Sequence, residues 1–163
     1  GYVGGNAVLR GDYGRIVMLA ESNLQDNCTA HSLPDFDCVM AERSHIGHGA
    51  IIHGAYIGVN ALVGMNAVVM DEAVIAPRSI VGACALVKAG FQCEPASLVV
   101  GAPARVIRTL SDGEVAWKAK GTEEYRRLTM RCHASLQECR PLADADSDRP
   151  RVDAGDFQPK HQS

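Results

Sequence analysis

The chain has 163 residues, with 16 Lys and Arg against 19 Asp and Glu and a formal charge of −3. That balance leaves no basic footprint for nucleic acid, and no apolar run approaches the ~18 residues that would suggest a membrane span. Aromatic residues are only 5% of a chain that is 47% hydrophobic, so the core must be built from Val, Ile, Leu and Ala, which suits narrow, regular packing.

Gly1 starts in mid-element with no initiator Met and no signal peptide, and a truncated start is the expectation. An apolar residue followed four places later by a small one recurs early, at Val3 and Ala7, Met18 and Ser22, and Leu24 and Cys28. The segment Ser32 to Cys38 breaks this pattern, carries turn residues and predicts a loop. From Val39 the period is six. First positions are Val39, His45, Ile51, Ile57, Val63, Val69, Ile75, Val81 and Val87, of which eight of nine are Val or Ile. Fifth positions from Gly49 onward are Gly49, Ala55, Ala61, Ala67, Ala73, Ser79 and Ala85, all small. Neither a helical period of 3.6 nor simple alternation gives that pattern. It predicts a mainly β fold, a left-handed parallel β-helix over residues 1–92, with three hexapeptides to a coil of about 18 residues.

Residues 93–110 read as an exit segment, leaving through the Gly-x-Pro turn in Ser97 to Val106. Ser111-Asp-Gly-Glu114 matches a capping box and opens a helical region over 111–139. Tyr125, Leu128, Cys132, Leu136 and Cys139 form one apolar helical face, and Gly121 is expected to divide the region into two pieces. Residues 140–163 hold nine charged residues and three prolines, a composition that predicts a disordered tail. Six cysteines without a Cys-x-x-Cys motif read as reduced thiols of a cytoplasmic protein.

Four of the six histidines (His31, His45, His48 and His53) fall within 23 residues. In the six-residue count, His31 is second on its side and His53 third on the side stacked above it, about 4.8 Å away on one edge. His48 belongs to another side. It can join the pair from a neighbouring subunit if three β-helices pack around a threefold axis. Three imidazoles and a water make a zinc-type catalytic site, while isolated surface histidines would be the plain alternative. His45, at an inward position, reads as a structural or supporting group, and His133 and His161 have no such role. Arg10 with Asp12 suits an ion pair between subunits. Gln25 can both donate to and accept from a metal-bound water.

Leu9-Arg-Gly-Asp12, Gln25-Asp-Asn-Cys-Thr-Ala-His31, His45-Ile-Gly-His-Gly-Ala-Ile-Ile-His-Gly54 and Leu62-Val-Gly-Met-Asn66 closely resemble the gamma-class carbonic anhydrase-like hexapeptide proteins. Ala116 to Tyr125 resembles the branch of that family from phenylacetate degradation and carnitine operons. The resemblance implies a homotrimer with a divalent metal at each subunit interface, zinc first with iron or cobalt as alternatives. It implies His31, His48 and His53 as ligands, Arg10 and Asp12 as the bridging pair, and Gln25 beside the metal-bound solvent. Asp26 would belong to the same network, and Tyr125 would reach toward the site from the helix. Family members begin several strands earlier, so roughly two coils are missing by this comparison.

The implied activity is hydrolysis, through a metal-bound hydroxide, of acyl-CoA thioesters formed in phenylacetate catabolism. CO2 hydration to bicarbonate is the close alternative. However, Tyr13 stands where the anhydrase branch has Glu, and the Ser32–Cys38 loop lacks that branch's acidic insertion. A CoA-dependent hexapeptide acyltransferase and a non-catalytic scaffold are the rival classes.

Overall fold

The computed structural model describes residues 1–144 and 147–149. Short strands stack in three faces of a parallel β-solenoid. The first face holds Tyr2–Val3, Asn23–Leu24, His45–Ile46, Leu62–Val63 and Ile80–Val81. Val8–Arg10, Thr29–His31, Ile51–His53, Val68–Val69 and Leu86–Val87 make the second face, and Ile16–Met18, Cys38–Met40, Tyr56–Ile57 and Val74–Ile75 the third. One β-branched or Leu/Met side chain per strand points inward. Leu24, Met40, Ile46, Ile52, Ile57, Val63, Val69, Ile75, Val81 and Val87 are all fully buried. Small residues such as Ala61, Ala67 and Ala73 fill the corners beside them.

Each corner is made by one residue with left-handed backbone: Arg43, Gly49, Gly54, Asn60, Asn66, Glu72, Arg78, Cys84, Gly90 and Ala96. For the non-glycine residues that conformation costs about 1–2 kcal/mol. A directed hydrogen bond offsets it, because each corner N–H donates to a corner carbonyl of the preceding coil. Arg43 donates to Ala20, Asn60 to Glu42, Arg78 to Val59 and Ala96 to Pro77, each at 2.9 Å.

The corner series corrects the six-residue frame. From Arg43 onward every step is six residues except that from Gly49 to Gly54, which is five. Upstream of it, the inward residues are therefore Met40, Ile46 and Ile52, where the uninterrupted count placed Val39, His45 and Ile51. The buried small residue is likewise Ala50, not Gly49.

Ser97–Gly101 extends the first face in parallel with Ile80–Val81, then turns back as the antiparallel strand Ala104–Thr109. The exit is thus a hairpin, with Gly101 at φ 104° in its turn. Ser111 caps helix α1 (Asp112–Ser135), accepting from the Glu114 N–H while the Glu114 carboxylate accepts from Ser111 N–H. The helix runs unbroken through Gly121, against the expected division. Its apolar face is also shorter than expected. Tyr125, Leu128 and Cys132 are half-buried, but the backbone leaves the helix at Leu136, and Leu136 and Cys139 are exposed. The buried helix residues are instead Lys118 and Thr122. Lys118 Nζ donates to the Arg43 carbonyl at 2.7 Å and to Asn60 Oδ1 at 2.9 Å.

The six cysteines are free thiols. Among the described residues, no helix is long and apolar enough to cross a membrane. Of the expected disordered tail, residues 145, 146 and 150–163 lie outside the described residues.

Candidate functional site

Arg10, His31 and His53 align in register where the second face meets the third. Ala30 stacks on Ile52, not on Ile51, so His31 and His53 are direct partners rather than offset by one. Their ring centroids are 4.9 Å apart, and His31 Nδ1 faces His53 Nε2 at 2.9 Å. The outer nitrogen of each ring meets a carboxylate. His31 Nε2 lies 2.8 Å from Asp12 Oδ1, and His53 Nδ1 contacts Asp71 Oδ1. Desolvation pulls the Asp12 carboxyl upward, but hydrogen bonding to His31 and the Arg10 charge outweigh it and leave it below its usual value. Asp12 therefore accepts.

With both carboxylates accepting N–H bonds, two neutral imidazoles must turn lone pairs toward each other. Two lone pairs at 2.9 Å repel unless a cation or a proton lies between them. A histidine whose far N–H is held by a carboxylate is the usual form of a metal ligand. The donor set fits a divalent metal. Asp71 was not singled out from the sequence. Its one signal is position, 18 residues after His53 and so one coil further along.

A second group gathers where the first face meets the second, under helix α1. Asn23 and His45 are register partners. Gln25, buried, donates from Nε2 to Asn23 Oδ1 at 3.1 Å and to His45 Nε2 at 2.6 Å. His45 lies on the outer side of its strand beneath the helix, not inward as expected, because Ile46 takes the core position. The Tyr125 ring stands edge-on to it, with centroids 5.1 Å apart. Burial, with smaller effects of Lys118 and His48, pushes the His45 pKa down to about 3. His48 Nδ1 lies 2.9 Å from Asp26 Oδ2, and Asp26 Oδ1 accepts from Gly5 N–H at 2.9 Å. That backbone bond, the largest influence on Asp26, helps hold its carboxyl below the usual range. Tyr125 Oη is 3.5 Å from His48 Nε2, and burial pushes its phenol up to about 12.

The expected site residues thus form two groups at opposite ends of one face. His48 lies five residues before His53, which ends the strand Ile51–His53, a span of up to about 16 Å at ~3.3 Å per residue. Among the described residues, no group of three His, Cys, Asp or Glu within the chain is placed to hold a metal. Gln25, expected to face the metal, sits with His45, Asp26 and His48 rather than with His31 and His53. Arg10 and Asp12, expected to bridge subunits, pair within the chain at 2.6 Å. His133 is exposed in the last turn of the helix, and His161 lies outside the described residues.

No family model matches the chain. It is 52% identical over 160 residues to the carnitine operon protein CaiE of Salmonella typhimurium, covering 98% of this chain and 81% of that protein. CaiE of Escherichia coli O157:H7 is 51% identical over 151 residues, or 93% of this chain and 77% of the relative. Among solved structures, a hexapeptide transferase family protein from Anaplasma phagocytophilum matches with a TM-score of 0.74 and 34% identity, over 78% of this chain and 75% of its own. A putative acetyltransferase of Bacillus cereus shares the fold, with a TM-score of 0.61 and 24% identity over 77% of this chain and 88% of its own.

Proposed function

The chain belongs to the CaiE family of hexapeptide-repeat proteins, and from that membership we propose that it is a trimeric, metal-dependent hydrolase of acyl-CoA thioesters. The observation that carries this reading is the His31–His53 pair, with each outer nitrogen on a carboxylate and each inner lone pair facing the other. His31 and His53 of one subunit would hold the metal together with the partner subunit's His48. Three imidazoles suit zinc, iron or cobalt. A divalent metal supplies Lewis acidity there and lowers the pKa of water bound to it.

Cyclic symmetry supports the sharing. Both groups lie on the same face of each subunit, so threefold closure can match every His31–His53 corner with a neighbour's His48 corner. Asp12 and Asp71 hold the imidazole hydrogens and orient the rings. Gln25 and Tyr125 lie on the same side as His48, through Gln25–His45 and Tyr125–His48 contacts, and would face the substrate there. Phenylacetyl-type esters, implied by the sequence resemblance, and esters of carnitine catabolism, suggested by the relatives' name, are the substrates to test. CO2 hydration stands second. The Tyr13 ring, 5.8 Å from that of His31, places no carboxylate there, and Asp12 and Asp71 are already committed to imidazoles.

The resemblance to a hexapeptide transferase family protein favours acyl transfer as a second reading. It would need only one histidine base, a role that His53 oriented by Asp71 could fill. Metal analysis with parallel thioesterase, CO2-hydration and acyl-transfer assays tests both readings. The expected result is bound metal, with thioester hydrolysis lost on chelation and restored on adding metal back. Acyl transfer at full rate after chelation would reverse the order, and bound metal with none of the three activities would leave a scaffold.

A further inference from the structure

Gln25 is only 2% exposed, and both of its amide hydrogens are committed, one to Asn23 Oδ1 at 3.1 Å and one to His45 Nε2 at 2.6 Å. Its carbonyl oxygen has no partner among the described residues. We propose that His45 is a positioning residue, which holds the Gln25 amide so that it presents a carbonyl oxygen, and no N–H, to the reacting groups. The consequence for turnover rests on the hydrolase reading. The hydrogen-bond assignment does not.

Three observations carry the assignment. First, with Asn23 Oδ1 as the acceptor it is in this structure, turning the Gln25 amide over would set two acceptors face to face. Second, a neutral His45 that accepts at Nε2 must carry its hydrogen on Nδ1. That atom is buried without a partner, as is Asn23 Nδ2 on the register-paired strand. In that arrangement both unpartnered groups are donors, and one bridging water could accept from both. Third, the ring is held in place. Tyr125 stands edge-on to it at an interplanar angle of 87°. Burial, the largest influence on His45, keeps the imidazole uncharged, so Nε2 can remain an acceptor at ordinary pH. Held in this way, Gln25 would be able to accept an O–H hydrogen from a reacting water. It does not donate to the developing oxyanion, a role its sequence position alone left open.

Nitrogen-15 NMR of the unaltered protein, with and without added zinc, reads the ring directly. The expected result is Nδ1–H with a bare Nε2 on His45 between about pH 5 and 9, and slow exchange of the Gln25 amide hydrogens. An Nε2–H tautomer overturns the proposal. His45→Phe keeps an aromatic ring against Tyr125 but removes the acceptor. It is expected to free the Gln25 amide hydrogens to fast exchange and lower kcat for thioester hydrolysis about tenfold, the worth of one hydrogen bond, with KM and metal content unchanged. His45→Asn, which restores an acceptor, should recover part of both losses. Full kcat in His45→Phe with those hydrogens in fast exchange also overturns it. If the unaltered protein hydrolyses no thioester, the hydrolase reading fails, and the tautomer and exchange data alone decide the role of His45.

Discussion

With Asp71 accepting from His53 Nδ1–H and Asp12 from His31 Nε2–H, the facing Nε2 and Nδ1 are the two nitrogens free to bind a metal. Asp71→Asn replaces a carboxylate acceptor with a weaker amide and should lower zinc affinity about 10–100-fold in a calorimetric titration. Asp71 is one-third exposed, so the melting temperature should barely move. Unchanged affinity would show that the Asp71 contact does not orient a ligand. Arg10→Ala should do little by comparison. The Arg10–Asp12 pair is 56% and 44% exposed and screened by solvent, so its loss should leave thermal unfolding nearly unchanged and zinc bound. Dissociation of the trimer in that variant would mean that Arg10 bridges subunits after all. The histidine pair was legible in the sequence because residues one coil apart stack. Asp71 was not, since a single acidic residue at a corner has no periodic partner and shows its role only once the coil frame is known.

At the scale of elements, helix α1 docks through polar contacts. Lys118, buried, spans from the helix to the Arg43 carbonyl and Asn60 Oδ1, and Thr122 reaches the same carbonyl at 3.5 Å. The capping box therefore located the start of the helix, but the apolar period gave only part of its docked face: Tyr125, Leu128 and Cys132 are half-buried, with Tyr125 edge-on to Tyr2, whereas the fully buried positions are an amine and a hydroxyl. The frame slip has a similar origin: a single five-residue step at Gly49 to Gly54 preserves the look of a six-residue pattern on either side of it. Burial, aided by the Arg43 charge, pushes the Lys118 pKa down to about 7 from 10.5. Between those values the folded chain has shed a proton that the unfolded chain keeps, so stability rises with pH across that window. Below about pH 7 both states are charged and the full cost of burial is present. Melting followed by circular dichroism should show the unaltered protein gaining on Lys118→Met by up to a few kcal/mol from about pH 7 to 10.5, and parallel curves below that. Parallel curves throughout would show that the amine is solvated.

For the whole molecule, the separation of the two histidine groups makes assembly testable by mixing subunits. Neither His31→Ala nor His48→Ala alone should form an intact site. Any mixed trimer has one interface where an intact His31–His53 corner meets an intact His48 corner. Random mixing should restore zinc to about one-quarter of all sites, read by native mass spectrometry. No recovery would place the site within one chain. The stacking also dictates an order of assembly. The parallel pairings join residues about one coil apart, as Val63 with Val81 and Val69 with Val87, whereas helix α1 reaches back 75 and 79 residues to Arg43. Each coil can therefore template the next at the entropic cost of closing one short loop, and growth can start anywhere along the stack. Docking the helix before the intervening coils form would close a loop of some 75 residues, so docking is expected last. Trp117, the lone tryptophan and the neighbour of Lys118 on that helix, sits where its fluorescence reports this final step after the β signal has already formed.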